Sequence, residues 1–240
     1  MKSVVQDDSI LVQLLRRFNR KERYWLLMDA LGVSACRLSE DYRDRLGKVL
    51  EPHIPKIHIP EDAWWAMDYH FDWLHAALEW FSCSETPADQ LSAWDNPMQA
   101  GGKRPIQGNQ EDIDLIVAFG STLLLIEAKG EGAWSQSQME SKAKRIAALP
   151  RPKELTVRLL LTGRADSPKK IAKGKWWDEI PPELKNNQDE PTYLQLSSFR
   201  DGNSFCRVIR CNEAKKPNKE GDFWAILPQR LTNSTVERAD

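Results

Sequence analysis

Apolar residues recur at helical spacing through the first fifty positions, in LVQLLRRF, YWLLMDALGV and SEDYRDRLGKVLE. Ser39 stands as a cap before the last of these, with Glu40 and Asp41 in its opening turn. Together they predict a helical N-terminal region over 1–60. Pro52, Pro55 and Pro60 in EPHIPKIHIP hold the end of that region extended, because each proline pushes the residue before it out of the α region. Beyond it, EDAWWAMDYHFDWLHAALEWF sets Trp64, Met67, Phe71, Leu74, Leu78 and Phe81 on one helical stripe. This predicts one long helix over 61–81. Asp68, Asp72, His75 and Glu79 form a row along the border of its buried face.

The period then changes. Thr86 and Pro87 in SETPADQL predict a short helix, and DNPMQAGGKRPIQGNQ predicts a loop. In EDIDLIVAFGSTLLLIEAKG two apolar runs of strand length meet at Gly120 and Ser121, which predicts a buried β-hairpin with a glycine-first, two-residue turn. AWSQSQMESKAKRIAAL reads as a helix ended by Pro150 and Pro152, VRLLLTG as a central strand, and TYLQL, FCRVIRC and FWAIL as further strands. The order of elements is that of an α/β protein.

Composition narrows the class. The chain has 240 residues, 41% of them hydrophobic, which is enough for one sizeable core, and a net charge of −1 that gives no global pull on a polyanion. Cys36, Cys83, Cys206 and Cys211 lack the CxxC spacing of a zinc knuckle and read as free thiols of a reducing cytoplasm. The first ten residues lack the basic and apolar regions of a signal peptide, and no apolar run has the length of a membrane span. A cytoplasmic protein without membrane contact is expected. His70 and His75 are five apart, not the four of a helical zinc pair, and no P-loop, GxGxxG or GxSxG motif occurs.

The charges inside the hairpin carry the chemistry. With the turn at Gly120 and Ser121, Asp114 faces Glu127, Asp112 faces Lys129, and alternation places all four on one face of the sheet. Facing carboxylates repel in an apolar setting, and a hard divalent cation such as Mg²⁺ turns that repulsion into coordination. Lys129 can orient a water or steady the charge on a phosphate. A cation, a water and a phosphate together describe phosphodiester hydrolysis.

These residues resemble the PD-(D/E)XK, or restriction-endonuclease-like, nucleases. Asp114 matches the aspartate of the second core strand and Glu127-Ala128-Lys129 the (D/E)XK tripeptide of the third, with Ile113 where the proline of the name would stand. The resemblance implies an αβββαβ core over 61–165, with its first strand hidden before Glu111, and a β-rich C-terminal extension over 166–240 that completes the sheet. It implies that Asp114 and Glu127 bind Mg²⁺, with Mn²⁺ as a substitute, and that Lys129 assists the attacking water. Gln138 matches a supporting glutamine on the next helix, and Asp72 is the choice among Asp68, Asp72 and Glu79 for a further metal ligand. Lys142 and Arg145 are expected to contact DNA phosphates, with Lys144 and the lysines of SPKKIAKGKWW beside them, while Trp176 and Trp177 read as core packing or a stacking platform. The expected activity is a Mg²⁺-dependent DNA nuclease of phage defence or DNA repair, alone, as a homodimer or as a subunit of a larger complex. The alternatives are a catalytically inactive DNA-binding or protein-interaction module of the same fold, or an unrelated interaction protein.

Overall fold

The computed structural model of the chain describes residues 8–32, 36–83, 94–98, 104–108, 111–129, 136–163, 175–185, 191–196 and 205–229. The chain divides into two compact units, residues 1–163 with 168–194 and residues 164–167 with 195–240. The helix expected over SETPADQL and the lysine-rich stretch at 167–174 lie outside the described residues.

Three helices open the first unit: α1 (Ile10–Phe18), α2 (Glu22–Leu31) and α3 (Glu40–Leu50). The hydroxyl of Ser9 accepts the Val12 N–H and that of Ser39 accepts the Tyr42 N–H, pairing donors that a helix start leaves free. α1 buries Leu11, Val12, Leu14 and Leu15, whereas α2 buries none of its residues. The proline-rich connector carries neither helix nor strand.

The long helix expected over 61–81 is instead a strand and a shorter helix, β1 (Trp64–His70) and α4 (Phe71–Ser82). The aromatic run WWAM fits a pleated surface as readily as a helix, and Trp64 and Ala66 turn inward while Met67 is 49% exposed. Alternation then breaks at Asp68, whose φ of 49° is rare for an L residue. Tyr69 becomes the next buried side chain. Asp68 and Asp72 therefore belong to different elements, and only Asp72, His75 and Glu79 of the expected row share a helix, α4.

β1 pairs antiparallel with β2 (Asp112–Phe119), and β2 with β3 (Thr122–Lys129). β3 runs parallel to β4 (Thr156–Gly163), with α5 (Gln136–Ala147) in the connection that a parallel pair requires. A short β5 (Thr192–Gln195) completes a five-stranded mixed sheet in the order β1-β2-β3-β4-β5. The fold is thus mixed α/β. Before β5, α6 (Lys175–Glu179) turns Trp176 and Trp177 into the core, where neither ring is open to a base. Among the described residues no helix is long and apolar enough to cross a membrane.

Each face of the sheet has its own core. Leu123 and Leu125 of β3 join residues of α1, α4 and α5, among them Leu15, Leu74, Leu78, Met139 and Ile146. Leu124 and Ile126 join Leu46 and Leu50 of α3. Each such side chain, fully buried, contributes about 1.5–3 kcal/mol relative to exposure. Strands covered on both faces read as continuous apolar runs, so the carboxylate of Glu127 inside β3 is out of keeping with its setting.

The second unit contains β6 (Phe205–Cys211) and β7 (Phe223–Gln229), an antiparallel pair forming a two-stranded sheet of their own.

Candidate functional site

β2 and β3 turn at Gly120, whose φ of 52° suits the first position of a two-residue hairpin turn. The register pairs Phe119 with Thr122 and Leu115 with Ile126, so Asp114 and Glu127 are the next opposed residues, as the turn position predicts. Past Leu115 and Ile126 no further backbone pair is registered between these strands. Instead, the Asp114 carboxylate accepts the Ala128 N–H at 2.7 Å. The side chain of one strand thereby holds the backbone of the other beside the charged residues.

Glu127 is 2% exposed. Its Oε2 accepts a hydrogen bond from the ammonium of Lys142, which comes from α5 and is itself buried. Its Oε1 meets no donor, and the Asp114 carboxyl lies within hydrogen-bonding range of the Glu127 carboxyl. Burial pushes Glu127 up to about 8; the Lys142 ammonium works against this, and the Asp114 charge and the contact between the two carboxyls add to it. Without a cation, burial and the Asp114 charge together favour the protonated form of Glu127.

Lys129 lies two residues beyond Glu127 on the same strand face, half-buried, and its ammonium has no acidic partner within 4 Å among the described residues. The hairpin thus brings Asp114, Glu127 and Lys129 to one face. Asp112 is engaged elsewhere: Lys21 donates to it at 2.7 Å and His70 Nδ1 lies 2.9 Å away. Asp68, opposite Asp114 between the registered pairs Met67–Leu115 and Tyr69–Ile113, meets Arg23 at 3.2 Å.

Asp72, expected as a third metal ligand, has its carboxylate committed to other partners. It is bonded to the Arg145 guanidinium and accepts the N–H groups of Gln107, at 3.2 Å, and Gly108, at 2.6 Å. Burial would raise its pKa, but the Arg145 hydrogen bond and the two N–H donors outweigh it and hold the carboxyl below its ordinary range. Asp72 therefore latches the 104–108 loop and α5 to the start of α4. Arg145, which also donates to the Pro105 carbonyl, is 5% exposed. Neither Arg145 nor Lys142 is laid out on the surface for DNA phosphates, as their place in SKAKR suggested; Lys144, between them, is exposed. Gln138 lies on α5 with its side chain outside the described residues.

A signal for Lys142 was present in the sequence. Met139, Ala143 and Ile146 form the buried stripe of α5, and Lys142, three residues after Met139, falls on it. A lysine there needs an acceptor, and Glu127 is the carboxylate that supplies one.

Among the described residues no three His, Cys, Asp or Glu side chains gather as a metal cage. What Asp114 and Glu127 offer is smaller and still suits Mg²⁺, which is commonly held by one or two carboxylates and keeps several waters. The donor-free, buried Oε1 of Glu127 beside a second carboxylate is the observation that fits a cation. No family model, characterised protein or solved structure matches this chain.

Proposed function

We propose that the chain is a Mg²⁺-dependent nuclease hydrolysing DNA phosphodiester bonds. The observation that carries this is the buried Glu127 carboxyl with one oxygen lacking a donor, beside Asp114 and two residues from Lys129, which has no acidic partner among the described residues. Asp114 and Glu127 would hold Mg²⁺, or Mn²⁺ in its place. Bound there, the cation supplies charge neutralisation for the phosphate and acidifies a water. Lys129 holds a phosphate oxygen or the attacking water, and Lys142 fixes the orientation of Glu127 from behind. On this reading β1 to β4 with α3 and α5 would make up a restriction-endonuclease-like core, with α4, which follows β1 and precedes β2, as an insertion between its first two strands.

A second reading is favoured by one feature. Lys142 already supplies Glu127 with a cationic partner, as it would in a module of this fold that binds DNA without cutting it. Incubating the protein with labelled linear, circular and branched DNA in Mg²⁺, Mn²⁺ or EDTA separates the two. Metal-dependent cleavage supports the nuclease; binding with no cleavage in either metal supports the module.

A further inference from the structure

A cleft of about 850 Å³ opens beneath the turn between α1 and α2, lined among others by Arg20, Lys21, Arg23, His70, Trp73 and Asp112. It adjoins the proposed catalytic carboxylates. Asp68 and Asp112 both line it and flank Asp114, the first across the β1–β2 pair and the second two residues upstream.

The turn is strongly basic, RRFNRKER over 16–23. Its cations differ in what they are free to do. Lys21 is bonded to Asp112, whereas Arg23 is paired with Asp68 through a guanidinium that is 87% exposed, a contact that contributes little and yields readily to a stronger acceptor. Arg20 has no carboxylate partner among the described residues and lies over the Trp73 ring at 5.5 Å. Arg17, also without a carboxylate partner among them, lies over Trp80 at 5.5 Å. Trp73 and Trp80 are seven residues apart on α4, so the two Arg–Trp pairs succeed each other about 10 Å apart along one helix. A guanidinium held near an indole by cation–π attraction still has N–H donors to offer, and their fork matches the oxygens of a phosphate.

Resting on the nuclease reading, we propose that this cleft binds an unpaired nucleic-acid strand, with Arg20 in its lining and Arg17, over Trp80 farther along α4 and outside the lining, taking successive parts of the backbone and leading it to Asp114. The lining holds four acids against three arginine and lysine side chains, so it is no general polyanion surface. Its affinity should come from a few placed contacts. A single strand can enter a cleft of this size and offer its bases to the indole edges, whereas a duplex needs a broad exposed basic face.

The test reads binding in EDTA, where no cleavage occurs. Anisotropy of a fluorescein-labelled single-stranded 20-mer and of the matching blunt duplex would be measured across salt for the wild type, Arg17→Gln/Arg20→Gln, Arg17→Lys/Arg20→Lys and Lys48→Gln. Lys48 is exposed on α3, whose buried leucines pack on the opposite face of the sheet from α1 and α4. We expect the wild type to prefer the single strand. The glutamine pair should weaken it by about tenfold and flatten the salt slope by about 1.4, at about 0.7 per phosphate contact for single strands. The lysine pair should recover part of the affinity, and Lys48→Gln should change nothing. A duplex preference in the wild type, or unaltered single-strand binding by a glutamine pair that melts like the wild type, overturns the cleft. If the expected binding pattern holds but no metal supports cleavage, the nuclease reading fails and the cleft stands. If cleavage is metal-dependent while the glutamine pair binds as before, the cleft alone fails.

Discussion

Lys142 on α5 donates a hydrogen bond to Glu127 on β3 inside the protein, joining the helix behind the sheet to the strand that carries the site. Its positive charge is the largest influence opposing the burial that raises the Glu127 carboxyl. Replacing Lys142 with Met removes that influence and keeps an apolar stem, so Glu127 should hold its proton to still higher pH. In the wild type, binding of Mn²⁺ near pH 7 should release about one proton, because a carboxylate must be deprotonated to coordinate. Calorimetric titration in buffers of different ionisation heat measures this release. In Lys142→Met the pH midpoint for Mn²⁺ binding should move upward by about a unit or more; an unmoved midpoint would show that Lys142 does not tune the site.

The same carboxyl should make stability fall with rising pH. Its folded-state value of about 8 exceeds the ordinary 4.5, so the folded chain keeps a proton that the unfolded chain releases. The stability is intact below about 4.5, declines between about 4.5 and 8, and levels off above. The loss should be on the order of a few kcal/mol in EDTA. Glu127→Gln, which cannot ionise, should match the wild type near the acid end of that window and be more stable than it at pH 9. Urea unfolding at several pH values checks both, and a mutant with the same slope as the wild type would place the titration elsewhere.

Asp72 should behave as a structural latch. Asp72→Ala removes the acceptor of a buried guanidinium and of two backbone N–H groups, a loss of about 2–4 kcal/mol. Its depressed pKa adds an acid-side dependence: the stabilisation is present above the unfolded-state value and fades as pH falls through the folded one. Mn²⁺ affinity in the folded fraction should be unchanged. A loss of metal binding at full stability would return Asp72 to the ligand set.

What could be read from the sequence follows from how local each signal is. The hairpin register depends on a turn glycine and on apolar runs, both visible in the chain, and so the meeting of Asp114 with Glu127 was legible. β1 was not, because its alternation breaks at Asp68, where a left-handed residue turns Tyr69 inward, and aromatic residues on either side of the break happen to satisfy a helical period. Lys142 and Arg145 look like surface charges in SKAKR, since only the fold supplies the buried acids, Glu127 and Asp72, that hold them. The cleft under α1 and α2 joins segments some ninety residues apart, as the Lys21–Asp112 bond shows, and no local pattern announces it.

The most direct test of the central claim is the rate of DNA cleavage by Asp114→Asn against wild type in Mg²⁺. Asparagine keeps the size of the side chain and an oxygen for the Ala128 N–H, and it leaves the Lys142–Glu127 bond untouched, so the fold should survive with one ligand charge removed. The account predicts Mg²⁺-dependent cleavage by the wild type and a fall of about 100-fold or more in the mutant, the scale of several kcal/mol of lost transition-state stabilisation. Cleavage by a folded Asp114→Asn at the wild-type rate, or a wild type that cuts no DNA in Mg²⁺ or Mn²⁺, would contradict it.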